Sequence, residues 1–332
     1  MKNELLLDVK NLKISFFTPV GEVKAVNDIS YQMKDGEVLG IVGESGSGKS
    51  VSSYSIMGLI SEPGKIVGGS IYFNGHQVDE MSQNELQKIR GNEVSIVFQD
   101  PMSSLNPVFT IGNQIDEVLR LHKKMSKADA KKRTIELLEL VGMNEPQKRY
   151  SQYPHEFSGG MRQRAMIAMA LACEPKLLIA DEATTALDVT IQAQILELML
   201  ELKKKLGMSI IMITHDLGVV ANMCEKVAVM YAGKIIEYGT IEDIFNNPKH
   251  QYTLGLLKSI PNMNAENERL IPIEGTPVDL LNPPKGCPFA PRCEKAMKIC
   301  MNQMPENTYI TNDHYSACWL LDKEKFEGKK GE

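Results

Sequence analysis

The sequence predicts an α/β protein on three observations: short continuous apolar runs of strand length, amphipathic helical stretches between them, and a glycine-rich turn joining one run to a helix. The runs lie at residues 38–42, 94–98, 177–180, 210–214 and 227–230. Runs of this kind suit strands buried on both faces, as in a parallel sheet. Residues 5–17 and 69–74 instead alternate apolar with polar, the period of half-buried strands, which predicts an antiparallel sheet near the start.

The clearest helix covers residues 190–206, where Ile195, Leu198, Met199, Leu202 and Leu206 recur at three- and four-residue steps. Gly207 is placed to end it. Residues 112–142 read as helical without strands and lie between strand candidates, so they predict an inserted helical subdomain of about residues 100–170. After about residue 246 the texture turns proline-rich and irregular, with Pro248, Pro261, Pro272, Pro277, Pro283 and Pro284 ahead of a group of cysteines. This marks a carboxy-terminal extension of residues 248–332 beyond a first domain of residues 1–247.

Composition narrows the class. At 332 residues, with 43% hydrophobic and 24% charged residues, the chain can bury an ordinary globular core. Its 37 Lys and Arg against 42 Asp and Glu leave a net charge of −5, which supplies no general attraction for a phosphate backbone, so nucleic acid is not expected as a partner. Only Leu5, Leu6 and Leu7 are apolar in succession near the amino terminus, short of the roughly 7–15 residues of a secretory signal. The longest apolar runs also fall below the ~18 residues needed to span a bilayer, so any membrane role is expected to be peripheral.

Gly43-Glu44-Ser45-Gly46-Ser47-Gly48-Lys49-Ser50 fits the phosphate loop G-x-x-x-x-G-K-[ST] and lies between a strand and a helix, as that motif requires. Its glycines let the backbone wrap an anion with N–H groups, Lys49 faces the β and γ phosphates of ATP, and Ser50 offers its hydroxyl to Mg²⁺. The run at residues 177–180 ends in Asp181 and Glu182. That pattern delivers one carboxylate to Mg²⁺ and a second, Glu182, to the attacking water as general base. Phe157-Ser158-Gly159-Gly160-Met161-Arg162-Gln163 opens an apolar helix, and Ser158, Gly159 and Gly160 at its start form a second anion-binding surface.

These residues, in this order, resemble the ABC ATPases, whose L-S-G-G-Q signature is matched by Phe157 to Met161. The resemblance implies a RecA-like α/β core with an antiparallel β subdomain and an inserted helical subdomain. It also implies that residues 158–160 cover the γ-phosphate held by an opposite subunit. Gln99, after the run at 94–98, is implied to sense Mg²⁺ and link to the helical subdomain. Asp188, closing Thr185-Ala186-Leu187-Asp188, is implied to organise the dimer interface, and His215 to contact the γ-phosphate. Phe16 is favoured as the aromatic stacked on adenine, with Phe17 beside it. Phe157 and Met161 replace the consensus Leu and Gln, and Ala183 stands where Pro is common; none of these removes a catalytic group.

The resemblance narrows to the oligopeptide and dipeptide permease group through residues 181–188 and the stretch Asn282-Pro283-Pro284-Lys285-Gly286-Cys287-Pro288-Phe289-Ala290-Pro291-Arg292-Cys293. It implies an importer ATPase at the cytoplasmic face of the membrane, with a second homologous ATPase subunit, two transmembrane permease subunits and, indirectly, an extracytoplasmic peptide-binding protein. Nickel or another solute is the alternative cargo. A DNA-maintenance or translation ATPase is the competing class, but such proteins carry coiled coils, zinc inserts or paired heads that this chain lacks.

Cys287, Cys293, Cys300 and Cys318 are separated by five, six and seventeen residues in a tail with little apolar material for a core. Four thiolates there suit an iron–sulfur cluster or a tetrahedral Zn²⁺, with disulfides less expected in a reducing compartment. The spacings are wider than the paired cysteines of structural zinc sites, and the family resemblance also points to a [4Fe–4S] cluster. Cys173 and Cys224 read as small core residues on helices.

Overall fold

A computed structural model describes residues 5–184, 188–259 and 273–322. The chain divides into two compact units, one built from Lys34–Val38 and Glu80–Ile213, the other from Leu5–Met33, Leu39–Asp79 and the residues from Thr214 onward.

The second unit contains the antiparallel sheet expected from the early alternation. Its strands run in the order Gly21–Lys34, Leu5–Thr18, Gly64–Phe73 and His76–Gln77. Leu7 pairs with Phe73, Val9 with Ile71 and Ile14 with Ile66, with a register shift between Lys10 and Lys13. The shift explains why the buried positions change from odd (Leu7, Val9) to even (Leu12, Ile14) along one strand. An extra residue in a bulge reverses which face later side chains meet. Asn11 takes positive φ there, and a Cβ at Gly69 would lie 2.5 Å from the Asn11 backbone.

The same unit holds Val38–Val42 parallel to Lys226–Tyr231, which pairs antiparallel with Lys234–Thr240. Val38–Val42 is buried throughout, as its continuous apolar run requires. The tail departs from the irregular texture expected of it. It forms helices at Gln251–Lys258 and Lys298–Asn302 and a short hairpin of Thr308–Tyr309 and Tyr315–Ser316. That hairpin extends the sheet, with Glu237 opposite Ser316 and Tyr238 opposite Tyr315.

In the first unit, Val94–Val97, Leu177–Asp181 and Ser209–Thr214 form parallel neighbours, Val97 beside Ala180 and Ala180 beside Met212. The helices Ile111–His122, Lys127–Leu140, Pro146–Tyr150 and Gly159–Ala170 lie where a helical subdomain was expected. The first three of these are fastened by one buried carboxylate. Asp116 accepts from Thr134 Oγ1 at 2.6 Å and from Tyr150 OH at 2.7 Å, so its charge is met by donors from two other helices. The helix Val189–Leu206 ends at Gly207 in the left-handed conformation, φ 66°.

Ala232 and Gly233 join Lys226–Tyr231 to Lys234–Thr240 as a two-residue turn with both central residues at positive φ, 50° and 76°. Such a turn matches the strand twist, but alanine in a left-handed conformation costs roughly 1–2 kcal/mol. Ala232→Gly should therefore raise stability by about 0.5–1 kcal/mol after the added unfolded-state entropy is counted. A thermal melt of the purified chain checks this, and an unchanged or lowered midpoint contradicts it.

Candidate active site

The phosphate loop connects strand Val38–Val42 to helix Lys49–Ser55. Gly43 has φ 152° and Gly48 has φ 96°. A Cβ at Gly43 would lie 2.2 Å from the Met230 carbonyl oxygen, and one at Gly48 2.4 Å from that of Ala25. Glycine is required at both positions by space and by torsion together. Lys49 is buried, and its Nζ donates to the carbonyls of Gly43 at 2.8 Å and Glu44 at 2.9 Å. The Ser47 carbonyl accepts from the Gly233 N–H at 3.0 Å. These bonds occupy carbonyls that would otherwise repel a phosphate on the loop.

His215, in the same unit, is exposed just beyond the end of Ser209–Thr214. Asp216 follows it and accepts from the Gly218 N–H at 2.8 Å, capping helix Leu217–Met223. Phe16 is half-buried against Gly64, where a Cβ would lie 2.6 Å from the Phe16 ring, whereas Phe17 is 48% exposed. Strand alternation sends the two rings to opposite faces. Phe16 is thus the packed ring and Phe17 the open one.

In the other unit, the in-register parallel strands Val94–Val97 and Leu177–Asp181 carry Gln99 and Glu182 just past adjoining ends. The Gln99 Nε2 donates to Glu182 Oε2 at 2.8 Å. Asp181 is buried at its strand end. Glu182 takes φ 47°, and its N–H donates to the Ile213 carbonyl at 2.9 Å. A left-handed conformation at a glutamate is strained and is held by its surroundings, a pattern that concentrates at functional sites.

Ser158 caps helix Gly159–Ala170, its Oγ accepting from the Met161 N–H at 3.3 Å, while Phe157 is buried. A Cβ at Gly160 would come within 3.0 Å of Ile191 Cγ2, so helix packing accounts for that glycine. Among the described residues nothing lies within 4 Å of the Cβ position at Gly159. Asp188 is exposed and caps helix Val189–Leu206, accepting from the Ile191 N–H at 3.0 Å. Thr185, Ala186 and Leu187 lie outside the described residues.

Residues 26–185 match the family model described as ABC transporter, and residues 236–300 match that described as oligopeptide/dipeptide transporter, C-terminal region. The chain is 58% identical over 318 residues to the oligopeptide transport ATP-binding protein OppD of Bacillus subtilis (strain 168), covering 95% of this chain and 89% of the relative. It is 53% identical over 323 residues to the dipeptide transport ATP-binding protein DppD of Lactococcus lactis subsp. cremoris (strain MG1363), covering 97% and 93%. The chain belongs to the oligopeptide/dipeptide family of ABC transporter ATP-binding subunits. This ABC ATPase has the cassette fold. A dimeric ATP-binding cassette in a post-hydrolysis state, bound to ADP and Pi, aligns with TM-score 0.64 at 28% identity over 71% of this chain and 98% of that one.

None of the six cysteines of the ABC subunit is in a disulfide. Cys173 and Cys224 are buried just past the ends of helices rather than on them. In the tail, Cys287 and Cys300 are buried and Cys293 and Cys318 half-buried. Burial pushes the Cys287 thiol up to about 12 and that of Cys318 up to about 11, with the neighbouring tail cysteines adding to both shifts. Among the described residues no three His, Cys, Asp or Glu side chains gather where one metal ion could take them. His250, with Nε2 4.0 Å from Cys287 Sγ, is held neutral by burial, its pKa pushed down to about 3. None of the helices in the described residues is long and apolar enough to cross a membrane.

Motif reading missed one residue at the phosphate loop. Arg292 of the tail binds the Glu44 carboxylate through both Nη1, at 2.6 Å, and Nη2, at 2.9 Å. Its partner is 248 residues away, so no contiguous pattern contains the pair.

Proposed function

We propose that this ATPase binds MgATP and hydrolyses it to energise uptake of di- or oligopeptides through separate membrane permeases, as a peripheral subunit on the cytoplasmic face. The observation that carries the catalytic part is the Glu182 carboxylate, fixed by Gln99 at 2.8 Å beside the buried Asp181. A carboxylate positioned by a hydrogen-bond donor in this way suits a general base that takes a proton from water. Lys49 and the loop backbone of Gly43, Ser45, Gly46, Ser47 and Gly48 hold the phosphates, and His215 contacts the terminal one. Ser50, Gln99 and Asp181 supply hard oxygen donors that suit Mg²⁺, which when bound would neutralise charge on the phosphates. Phe16 or Phe17 stacks on the adenine, the exposure of Phe17 favouring the latter.

Ser158, Gly159 and Gly160 face the ATP of a second, homologous ATPase subunit, and Asp188 lies near that interface. The open space at Gly159 supports this reading, because nothing among the described residues requires a glycine there. Around and beyond Gln99 the large apolar residues Phe98, Met102, Val108 and Phe109 are exposed. Such a group beside the Gln99 segment suits contact with a permease. Peptide as cargo is supported by the relatives, which are oligopeptide and dipeptide transport ATP-binding proteins, and by the tail's match to the transporter's carboxy-terminal region. A peptide-binding protein outside the membrane completes the assembly.

For the tail we propose a [4Fe–4S] cluster on Cys287, Cys293, Cys300 and Cys318. Four thiols outside any disulfide, of which those of Cys287, Cys293 and Cys318 are raised first by burial and further by neighbouring tail cysteines, form a donor set of the right chemistry. A tetrahedral Zn²⁺ needs ligand sulfurs about 2.3 Å from one centre, and no such gathering occurs among the described residues. The spacings of five, six and seventeen residues, wider than the paired cysteines of structural zinc sites, favour a cluster over zinc. The family-model match stops at residue 300, and Cys318 enters the set from the short hairpin and turn beyond it.

Glu182→Gln keeps the hydrogen bond to Gln99 but removes the base. Turnover by the complete transporter should fall by about 10²–10⁴-fold with MgATP affinity nearly unchanged. Near-normal turnover would refute the assignment. For the tail, anaerobically purified protein should contain iron and sulfide in equal, roughly fourfold amounts per chain, and lose both on changing any of the four cysteines to serine. Stoichiometric zinc without sulfide would overturn the cluster.

A further inference from the structure

Glu44 is the first variable residue of the phosphate loop, and its backbone and side chain are both engaged. Its carbonyl accepts from Lys49 Nζ at 2.9 Å, its N–H donates to the Tyr252 hydroxyl at 2.8 Å, and its carboxylate takes both Nη atoms of Arg292. Arg292 ends the turn Ala290–Arg292, one residue before Cys293. Its side chain is 4% exposed, against 27% for Glu44.

A guanidinium that deeply buried is costly unless every donor is met. Here Nη2 also donates to the Ile273 carbonyl at 3.0 Å, Nε donates to the Glu274 carbonyl at 2.9 Å, and Nη1 reaches the Tyr231 hydroxyl at 3.3 Å. The Tyr231 and Phe289 ring centroids each lie 5.9 Å from the guanidinium carbon. A surface ion pair between two mobile chains contributes little. This one differs, because the cation is fixed from several sides before it meets the carboxylate, and the planar fork matches both carboxylate oxygens.

Two consequences reach the nucleotide. An uncompensated carboxylate in the phosphate loop would repel a polyanionic ligand, and Arg292 cancels that charge. Glu44 also supplies one of the carbonyls that receive Lys49, so fixing Glu44 fixes the surface from which the lysine works. We propose that Arg292 is a positioning residue of the ATP site, by which the cysteine-rich tail neutralises Glu44 and sets the phosphate loop. The proposal rests on the ATP-binding reading above.

The test uses MgATP titration of the full-length chain and steady-state kinetics of the complete transporter. Arg292→Ala should raise Kd and KM for MgATP about five- to tenfold while kcat stays within about twofold, since Arg292 touches no reacting atom. Arg292→Lys should restore only part of the loss, because an ammonium lacks the fork. Glu44→Gln removes the loop charge and leaves the tail intact, so in that background Arg292→Ala should change MgATP affinity by less than about twofold. Equal losses in both backgrounds would mean a general defect of the tail and would overturn the proposal. So would an Arg292→Ala affinity within twofold of the unmodified chain. Failure of the unmodified chain to bind MgATP would overturn the ATP-binding reading itself.

Discussion

A loop that grips phosphate with its backbone has to keep its own carbonyls away from the anion, and much of the second unit is arranged around that requirement. Lys49 takes the carbonyls of Gly43 and Glu44, and Gly233 takes that of Ser47. The loop therefore depends on the hairpin turn that carries Gly233, which explains a strained Ala232 beside it. The carbonyl of Gly233 in turn accepts from the Asn27 N–H at 2.7 Å, tying the turn to strand Gly21–Lys34. Gly43 against Met230 and Gly48 against Ala25 leave no room for the loop to drift toward either strand. Close packing of backbone on backbone holds the loop at these two glycines, while the Lys49, Tyr252 and Arg292 side chains hold it at Gly43 and Glu44.

The acid pair is controlled differently. Asp181 ends a buried strand and inherits its position from the sheet, while Glu182 leaves the strand through a left-handed torsion, its N–H bonded to the Ile213 carbonyl of the next strand. That turn gives the two carboxylates different surroundings. Asp181 stays buried, and Glu182 swings to where Gln99 meets it. Strain of this kind persists only when neighbours over-determine it, and the Gln99 contact and the sheet bond provide that.

The sequence motifs were more legible than the scaffold around them. Gly43 to Ser50, Asp181, Glu182 and the helix start at Ser158 are contiguous patterns whose strand and helix settings follow from apolar periodicity. Strand Gly21–Lys34 escaped because Ala25 and Val26 are buried side by side and Asp28 takes positive φ, so the alternation of Ile29, Tyr31 and Met33 begins only halfway along. The tail hairpin escaped because its strands are two residues each and gain their stability from pairing with Lys234–Thr240, far away in sequence. Proline-rich composition read as irregular chain for the same reason. Contacts between distant segments, Arg292 with Glu44 above all, leave no local signature.

Those distant contacts make the tail part of the nucleotide-loop scaffold. Glu237 is fully buried, and a carboxylate there is tolerable only if its acceptors are filled. It accepts from the N–H groups of Lys249 at 2.6 Å and His250 at 2.9 Å and pairs with His314 Nε2 at 3.1 Å. His250, kept neutral by burial, accepts on Nδ1 from the Tyr252 N–H at 3.1 Å and so caps helix Gln251–Lys258. Tyr252 then places its hydroxyl 2.8 Å from the Glu44 N–H. Its ring packs against Tyr231 and Phe289, the two rings that flank Arg292. One buried carboxylate thus orders the helix whose tyrosine holds the backbone of Glu44, while the guanidinium from the cysteine-rich segment holds its side chain. Because both grips close on a single loop residue, disorder in either the helix or the cysteine segment would reach the carbonyl on which Lys49 rests.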